Sequence, residues 1–215
     1  MDLNVGQGRC QGTARLLLKP VRDVIELGAA PDVLSAAIRA VHHANRKGLQ
    51  DDFIAIAFPT MRQGRVAMLP GYEIELVGSH KSLAAFLELE GIVKLARRGM
   101  LEPTEIGEVF VEVGATAAGY LRDRSSEKHT AGWIRRSKAR AERRGKPLGK
   151  HVLAKRHDPK ILTIKNDDVV LHIREVIGVY SGTPLMVSTY GLSSVSVPAI
   201  LPVFADSACE TGDAA

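Results

Sequence analysis

The order of strand-like and helix-like segments over residues 14–113 constrains the fold of this chain most. Apolar residues at every second position indicate strands, whereas apolar residues three or four positions apart indicate helices. The segments are a strand at 14–20, a helix at 31–47, strands at 53–58 and 72–76, a helix from Ser79 interrupted at Gly91, and a strand at 109–113. The order strand–helix–strand–strand–helix–strand predicts a split βαβ, ferredoxin-like domain, a fold that serves many functions.

The remaining residues follow a different pattern, so we place a domain boundary at 113. The predicted elements are a helix at 130–144, a mobile loop at 146–160, a hairpin from strands at 161–164 and 169–174, further strands at 176–180 and 185–189, and a disordered, acidic tail at 205–215. We therefore expect an α+β protein. Its ferredoxin-like domain would occupy 1–113, and a region at 114–204 would join an arginine-rich helix to a small antiparallel β part.

Positive charge is concentrated in one block of the sequence. Residues 122–156 carry 13 lysines and arginines against three acids, whereas the chain as a whole has a net charge of only +5. Such a block is typical of polyanion binding, and equally of a solvated charged helix or a basic linker.

Within this block, the predicted helix separates apolar from basic side chains. At 100° per residue, Trp133, Ile134, Ser137 and Ala141 share one face. The basic residues on the other faces are Arg135, Arg136, Lys138, Arg140, Arg143 and Arg144. Arg136, Arg140 and Arg143 form a stripe, and only Glu142 is available locally to pair with these arginines. Because guanidinium groups bind phosphate bidentately, the stripe favours a nucleic-acid partner.

Composition and motifs exclude several other classes. Two cysteines, Cys10 and Cys209, cannot form a disulfide framework, and none of the seven histidines lies in an HExxH spacing. No apolar run approaches the roughly 18 residues of a membrane span, and the first ten residues do not resemble a signal peptide. No glycine-rich phosphate loop is present. We therefore expect a cytoplasmic protein with no metal site, no cofactor and no membrane association.

Several motifs, in their order and spacing, resemble one enzyme family. They are the segment from Tyr120 to Lys128, the arginine-rich helix, Leu171-His-Ile-Arg174, Tyr190-Gly-Leu-Ser193, and a proline- and phenylalanine-containing end at 198–204. This order, over residues 13–204, resembles the CRISPR repeat-processing endoribonucleases of the type I-F (Csy) systems, which serve antiviral defence. The resemblance implies cleavage of precursor CRISPR RNA at the base of each repeat hairpin, without a metal. It also implies that the nuclease stays bound to the mature RNA beside other surveillance-complex subunits.

The resemblance implies a histidine as the general base that activates the ribose 2′-hydroxyl. That oxygen attacks the adjacent phosphate, and the products carry a 2′,3′-cyclic phosphate and a 5′-hydroxyl. The family histidine lies late in the first helix, which matches His42 in Val41-His42-His43-Ala44. Helical periodicity independently places His42 at the border of the apolar face and His43 on the solvent side, so His43 is the fallback.

The resemblance also assigns the remaining site residues. Asn166 takes the position of a family serine that orients the 2′-hydroxyl, and an amide can make that hydrogen bond. Tyr190 matches a tyrosine that holds the histidine or the RNA, and Val169 replaces a stacking aromatic, for which Trp133 is a substitute candidate. The expected RNA contacts outside the helix are Arg122, Arg124, Ser126, Lys128 and Lys165. For Lys165, an ordinary turn lysine is the competing interpretation.

Two other functions are compatible with the same residues. The first is a catalytically inactive RNA hairpin-binding subunit of a CRISPR ribonucleoprotein, which the departures at Asn166 and Val169 favour. The second is a basic-helix protein of the same fold that binds DNA or ribosomal RNA. Cleavage that depends on His42 would exclude the first, and preference for repeat hairpins over random duplexes would exclude the second.

Overall fold

The computed structural model describes residues 6–65, 68–127, 131–147, 160–166, 169–193, 196 and 198–203, and the side chains of 127, 166 and 169 lie outside the described part. The sequence predictions that fall outside it are most of the 146–160 loop, Lys128, the hairpin turn at 167–168, Phe204 and the tail at 205–215. The described residues form helices and several β-sheets, which confirms the α+β class.

The strands, in chain order, are β1 (Gln7–Cys10), β2 (Ala14–Pro20), β3 (Ala55–Ala57), β4 (Arg62–Gln63), β5 (Met68–Leu69), β6 (Ile74–Gly78), β7 (Leu101–Pro103), β8 (Gly107–Glu108), β9 (Thr116–Arg122), β10 (Leu162–Asn166), β11 (Val169–Val179) and β12 (Leu185–Ser188). The helices are α1 (Arg22–Glu26), α2 (Ala30–Lys47), α3 (His80–Leu87), α4 (Glu90–Arg97), α5 (Arg124–Glu127) and α6 (Ala131–Arg143).

The first sheet contains the strands predicted near the N-terminus. Its order is β3-β6-β2-β7, every neighbouring pair is antiparallel, and β8 adds a short pairing to β2. Leu16 and Leu18 of β2 are buried between exposed or half-buried neighbours, as strand alternation requires. Helix α3 begins with the predicted cap, because the Ser79 hydroxyl accepts a hydrogen bond from the Ser82 amide and the Ser79 amide donates one to the Ser82 hydroxyl.

The strand predicted at 109–113 is wrong. The pairing of β8 with β2 ends at Ala14, and beyond it the Val109 amide donates a hydrogen bond to the Thr13 carbonyl at 3.4 Å that does not extend into a strand. Val111 is buried in the core, whereas Phe110 and Val113 are exposed. Alternating valines therefore predicted a strand where the chain only crosses from one sheet to the next.

Two further boundaries differ from the sequence prediction. Gly91 does not interrupt a helix, because α3 ends before Glu88 and α4 starts at Glu90 and continues through Gly91. The strands predicted at 169–174 and 176–180 are one strand, since β11 pairs continuously with β9 from Ile173 to Val179. Because β9 pairs along the whole of this stretch, the two segments form one strand, although the hydrophobic pattern of the sequence suggested a break between them.

The second sheet has the order β4-β5-β10-β11-β9. The predicted hairpin is present as the antiparallel pair β10–β11, whose register matches Ile164 with Leu171. Strand β9 was not predicted, and it forms the antiparallel edge next to β11. Strands from before and after the predicted domain boundary at 113 also pair with each other. Strand β5 lies parallel to β10, and β1 lies antiparallel to β12.

The core spans both sheets. A continuous cluster of buried apolar side chains runs from β2 and α2 through β3 and β6 to β9, β10 and β11. Tyr120 of β9 is buried between the sheets, where its hydroxyl donates to the Phe58 carbonyl and its ring meets the Phe58 ring edge-on at 5.5 Å. The two parts of the chain therefore share one interior, and the segments around Tyr120 lie against those around Phe58.

Candidate functional site

Helix α2 places His42 at the edge of the core. Leu34, Ile38 and Val41 are buried at helical spacing, His42 is half-buried, and His43 is exposed. This placement confirms the border and solvent positions predicted for the two histidines. Packing therefore restrains the His42 ring while one of its edges stays accessible.

The His42 ring stacks on Tyr190. Their ring centroids lie 3.9 Å apart, and the two planes are inclined by only 10°. Nearly parallel aromatic rings at this distance attract each other beyond the area they bury, by about 0.5–1.5 kcal/mol. Tyr190 therefore orients the imidazole, and the two residues that the family resemblance linked are in direct contact.

Asn45 ties this stack to the rest of the fold. It lies one helical turn after His42 and is buried. Its amide nitrogen donates to the Ile54 carbonyl at 2.9 Å and to the Thr189 carbonyl at 3.3 Å, and its oxygen accepts from the Ile54 amide at 2.8 Å. One buried side chain thus holds α2, the residues before β3 and the turn that carries Tyr190.

The turn after β12 needs a glycine beside Tyr190. The Gly191 amide donates to the Ser188 carbonyl at 2.8 Å, and its φ of +72° is a left-handed conformation that side chains disfavour. A Cβ at Gly191 would lie 2.9 Å from the Ile54 carbonyl oxygen, which leaves no room for it. The Gly191 carbonyl in turn accepts from the Ile56 amide at 2.9 Å. The Tyr-Gly pair is therefore explained by close approach of the turn to β3.

The residues after Gly191 fasten the same turn to β9. The Ser193 amide donates to the Tyr120 carbonyl at 3.0 Å, and the Arg122 amide donates to the Ser193 carbonyl at 3.1 Å. At the end of β9, the guanidinium carbon of Arg122 lies 5.3 Å from the centre of the Tyr190 ring. Arg122, Tyr190 and His42 therefore lie side by side, although they come from three different elements.

The environment of His42 favours its neutral form. Partial burial lowers its pKa below the usual 6.5, and the positive charges of Arg46, Arg122 and a protonated His43 lower it further. The Thr189 carbonyl lies close to the ring and acts in the other direction, raising the His42 pKa. The buried Nδ1 of His42 makes no hydrogen bond of good geometry with any described residue. An imidazole with a lowered pKa is unprotonated at neutral pH, which is the state a general base requires.

The hairpin end that carries Lys165 and Asn166 lies against an earlier turn of the helix that carries His42. The Lys165 carbonyl accepts a hydrogen bond from the Ser35 hydroxyl at 2.8 Å, and the Lys165 side chain is exposed. Ser35 precedes His42 by two turns of α2, about 10 Å along the helix axis. The Asn166 backbone pairs with Val169 at the end of β10. The hairpin end therefore lies along the same helix as His42, separated from it.

The segment after Arg122 is organised by Asp123. This buried carboxylate accepts hydrogen bonds from the Ser125 amide and hydroxyl and, at 2.9 Å, from the Ser126 hydroxyl, and it lies 3.5 Å from Arg174. Burial opposes its charge, but these donors and Arg174 hold its pKa at about 2. The hydrogen of the Ser126 hydroxyl, predicted to contact RNA, is thus engaged by Asp123, whereas Arg124 is exposed.

Helix α6 carries the predicted arginine stripe on its surface. None of its residues is buried, and those of the predicted apolar face are half-buried. The six basic residues are all exposed: Arg135, Arg136, Lys138, Arg140, Arg143 and Arg144. Half-burial of Trp133 and Ile134 means that this face is only partly covered by the described chain. The stripe is therefore available to a polyanion.

Three residues of this site were not assigned from the sequence. Asn45 could have been identified from the helical period, because it is a polar residue on the buried face of α2, one turn after His42. Asp123, with serines two and three residues later, matches a capping pattern. Gly191 gave only a weak signal, since a glycine after a tyrosine is common. Asn45 and Gly191 act through contacts with backbone groups that become their neighbours only in the folded chain.

Within the described residues, no group of histidine, cysteine and acidic side chains has the geometry of a metal site, and no helix is both long and apolar enough to cross a bilayer. A comparison with protein-family models finds no match for this chain, and a comparison with curated proteins finds none either.

Proposed function

We propose that this chain is a CRISPR repeat-processing endoribonuclease of the type I-F (Csy) kind. It would bind the repeat stem–loop of precursor CRISPR RNA, cut at the 3′ base of the stem and keep hold of the product beside other surveillance-complex subunits in the cytoplasm. The observation that carries this proposal is the His42–Tyr190 stack, with Arg122 next to it. A half-buried imidazole with a lowered pKa, beside a guanidinium, suits attack of a hydroxyl on a phosphodiester.

In the proposed reaction, His42 removes the proton from the ribose 2′-hydroxyl. The 2′-oxygen then bonds to the adjacent phosphorus, the bond from phosphorus to the 5′-oxygen breaks, and a proton from water completes the 5′-hydroxyl. Tyr190 holds the imidazole in one orientation, and Asn166 orients the 2′-hydroxyl from the hairpin end. The attacking group belongs to the RNA itself, so the reaction needs no metal-activated water.

The strand order supports the finer description of the fold. The connections β2–α2–β3 and β6–α3–α4–β7, with the sheet order β3-β6-β2-β7, are those expected of a ferredoxin-like domain. In this proposal residues 1–113 supply His42, and residues 114–204 supply Tyr190, Asn166 and the basic helix. Both parts would then contribute to a single active site.

The exposed basic groups support the RNA assignment. The stripe on α6 would bind stem phosphates, and Arg124 would reach base edges low in the stem from the turn that Asp123 organises. Lys128 lies outside the described residues and stays a prediction. Since phosphate contacts dominate such complexes, affinity should fall steeply with salt.

The decisive experiment is a cleavage assay in EDTA. The purified protein is mixed with a transcribed repeat hairpin from its host's CRISPR array, and with a copy carrying one 2′-deoxy substitution at the cut. We expect cutting of the first RNA only, with a 2′,3′-cyclic phosphate on the product. Tight binding of both without cutting would overturn the nuclease proposal and favour the hairpin-binding subunit. Equal affinity for random duplexes would point to a general DNA or ribosomal RNA binder.

A further inference from the structure

We propose that Arg122 is a catalytic residue that donates hydrogen bonds to the non-bridging oxygens of the scissile phosphate. This inference rests on the proposed function and adds a second catalytic group to His42. Attack by the 2′-oxygen produces a five-coordinate phosphorus whose two non-bridging oxygens gain negative charge. A fixed cation directed at those oxygens stabilises the transition state more than the ground state.

The position of Arg122 suits this contact. Its guanidinium and the His42 imidazole both lie against the Tyr190 ring, so the proposed base and the cation contact the same side chain. In the substrate, the 2′-hydroxyl and the adjacent phosphate are neighbouring groups of one nucleotide linkage. In this proposal, a hairpin bound with that hydroxyl at His42 presents the adjacent phosphate to Arg122.

The backbone of Arg122 is held in place from two sides. Arg122 pairs with Ile173 at the end of β9, and its amide donates to the Ser193 carbonyl at 3.1 Å. Ser193 belongs to the same segment as Tyr190, so the strand and the turn move together. A group that stabilises a transition state must be fixed before the reaction, and a residue in a paired strand meets that need better than one on a loop.

The charges around His42 point to an anionic partner. From α2, Arg46 and His43 act on the imidazole, and from β9 Arg122 does. The turn contributes the neutral Thr189 carbonyl, and the neighbouring strand β3 contributes only Ala55, Ile56 and Ala57. Among the described residues, the charged groups acting on the His42 pKa are thus positive or become positive. A bound phosphate would offset this field, and Arg122 is the cation that contacts the aromatic stack.

Arginine suits this task better than lysine would. Its planar fork can bind two phosphate oxygens at once, and it stays charged at every pH used for catalysis.

The cleavage step is neither an oxidation nor a reduction. His42 gains the proton of the 2′-hydroxyl, the phosphorus exchanges one oxygen ligand for another, and water protonates the leaving 5′-oxygen. Arg122 keeps all its protons throughout.

The test compares Arg122→Ala, Arg122→Lys and the surface control Arg98→Ala in EDTA. Single-turnover cleavage of the repeat hairpin is measured at saturating protein, and the Kd is measured with the 2′-deoxy hairpin. We expect Arg122→Ala to slow cleavage about 10²–10³-fold at saturation, with a much smaller change in Kd. Arg122→Lys should retain part of the rate, and Arg98→Ala should behave as the wild type.

A second readout does not depend on cleavage. Histidine NMR titration of the free protein should show a higher pKa for His42 in Arg122→Ala than in the wild type, because a neighbouring positive charge has been removed. Arg122→Lys, which keeps the charge, should leave the His42 pKa close to the wild-type value. This comparison also reports whether the variant retains the folded environment of the ring.

The outcomes separate this inference from the proposed function. A wild-type protein that binds the hairpin but never cuts it would overturn both. A wild-type protein that cuts, with Arg122→Ala cutting equally fast at saturation, would overturn only the role of Arg122. A loss confined to Kd would make Arg122 an affinity contact and would likewise reject the catalytic assignment.

Discussion

The imidazole of His42 lies parallel to the phenol ring of Tyr190, with ring centroids 3.9 Å apart. The two residues come from opposite ends of the chain, one from α2 and the other from the turn after β12. Asn45 and Gly191 keep them together, through hydrogen bonds to the Thr189 carbonyl and the Ile56 amide. This contact makes His42 a better candidate for the general base than its exposed neighbour His43.

Replacing the two histidines should separate their contributions. We expect His42→Ala to lower single-turnover cleavage of the repeat hairpin by about 10²–10⁴-fold, the usual effect of losing a general base. His43→Ala should change the rate little, since His43 is exposed on the solvent side of α2. The measurement is cleavage at saturating protein, with hairpin affinity as a control for binding. The reverse pattern would reassign the base to His43.

The lowered pKa of His42 predicts the pH dependence of cleavage. Only the neutral imidazole can accept the proton, so the rate should rise with pH through the pKa of His42 and then level off. Because that pKa lies below 6.5, the midpoint of the rise should lie below pH 6.5. Rates measured at protein concentrations below Kd report the free protein. A rate that is constant from pH 5 to 8, with chemistry limiting, would argue against His42.

Substitutions of Tyr190 should distinguish its ring from its hydroxyl. Tyr190→Phe keeps the stack and should cleave within about threefold of the wild type, whereas Tyr190→Ala should lose about tenfold as the imidazole becomes less restrained. The His42 pKa should rise in Tyr190→Ala, since removal of the ring exposes the imidazole to water. NMR titration of His42 checks this shift. Equal losses in both variants would assign the effect to the hydroxyl.

Asn45 should matter for stability as much as for the site. Asn45→Ala leaves the buried amide and carbonyl of Ile54 without their partner, which should cost about 2–3 kcal/mol of unfolding free energy. Urea unfolding followed by circular dichroism measures this change. His43→Ala on the same helix serves as the control and should stay within about 0.5 kcal/mol. An unchanged midpoint in Asn45→Ala would show that the turn is held by other contacts.

The arginine stripe should govern the salt dependence of RNA binding. Replacing Arg136, Arg140 and Arg143 together by alanine removes up to three phosphate contacts, while alanine preserves the helix. The slope of log K against log salt should become shallower by about one unit per lost contact. A variant with Arg22, Arg97 and Arg98 replaced has the same net charge and should keep the wild-type slope. Identical slopes in the two variants would remove α6 from the interface.

Much of the fold was predictable because its elements are amphipathic. The alternation in β2, the period of α2 and the cap at Ser79 each depend on residues close in sequence, and all three are present. Strand β9 was missed because Thr116–Arg122 is rich in small residues and is buried at five consecutive positions, so it shows no alternation. The valines at 109–113 alternate but form no strand, because their pairing with the first sheet does not extend beyond the hydrogen bond from Val109 to Thr13.

The candidate site likewise combines features that follow from the local sequence with features that depend on tertiary contacts. The sequence by itself determined that His42 lies at the border of the apolar face of α2, that His43 faces solvent and that the basic residues of α6 form a stripe, because helical periodicity is a local property. Only the tertiary structure decided that Arg122 lies against Tyr190, that Asn45 holds the turn and that Arg174 pairs with Asp123. These contacts join segments far apart in the chain, and their geometry follows from how the sheets pair and share one core.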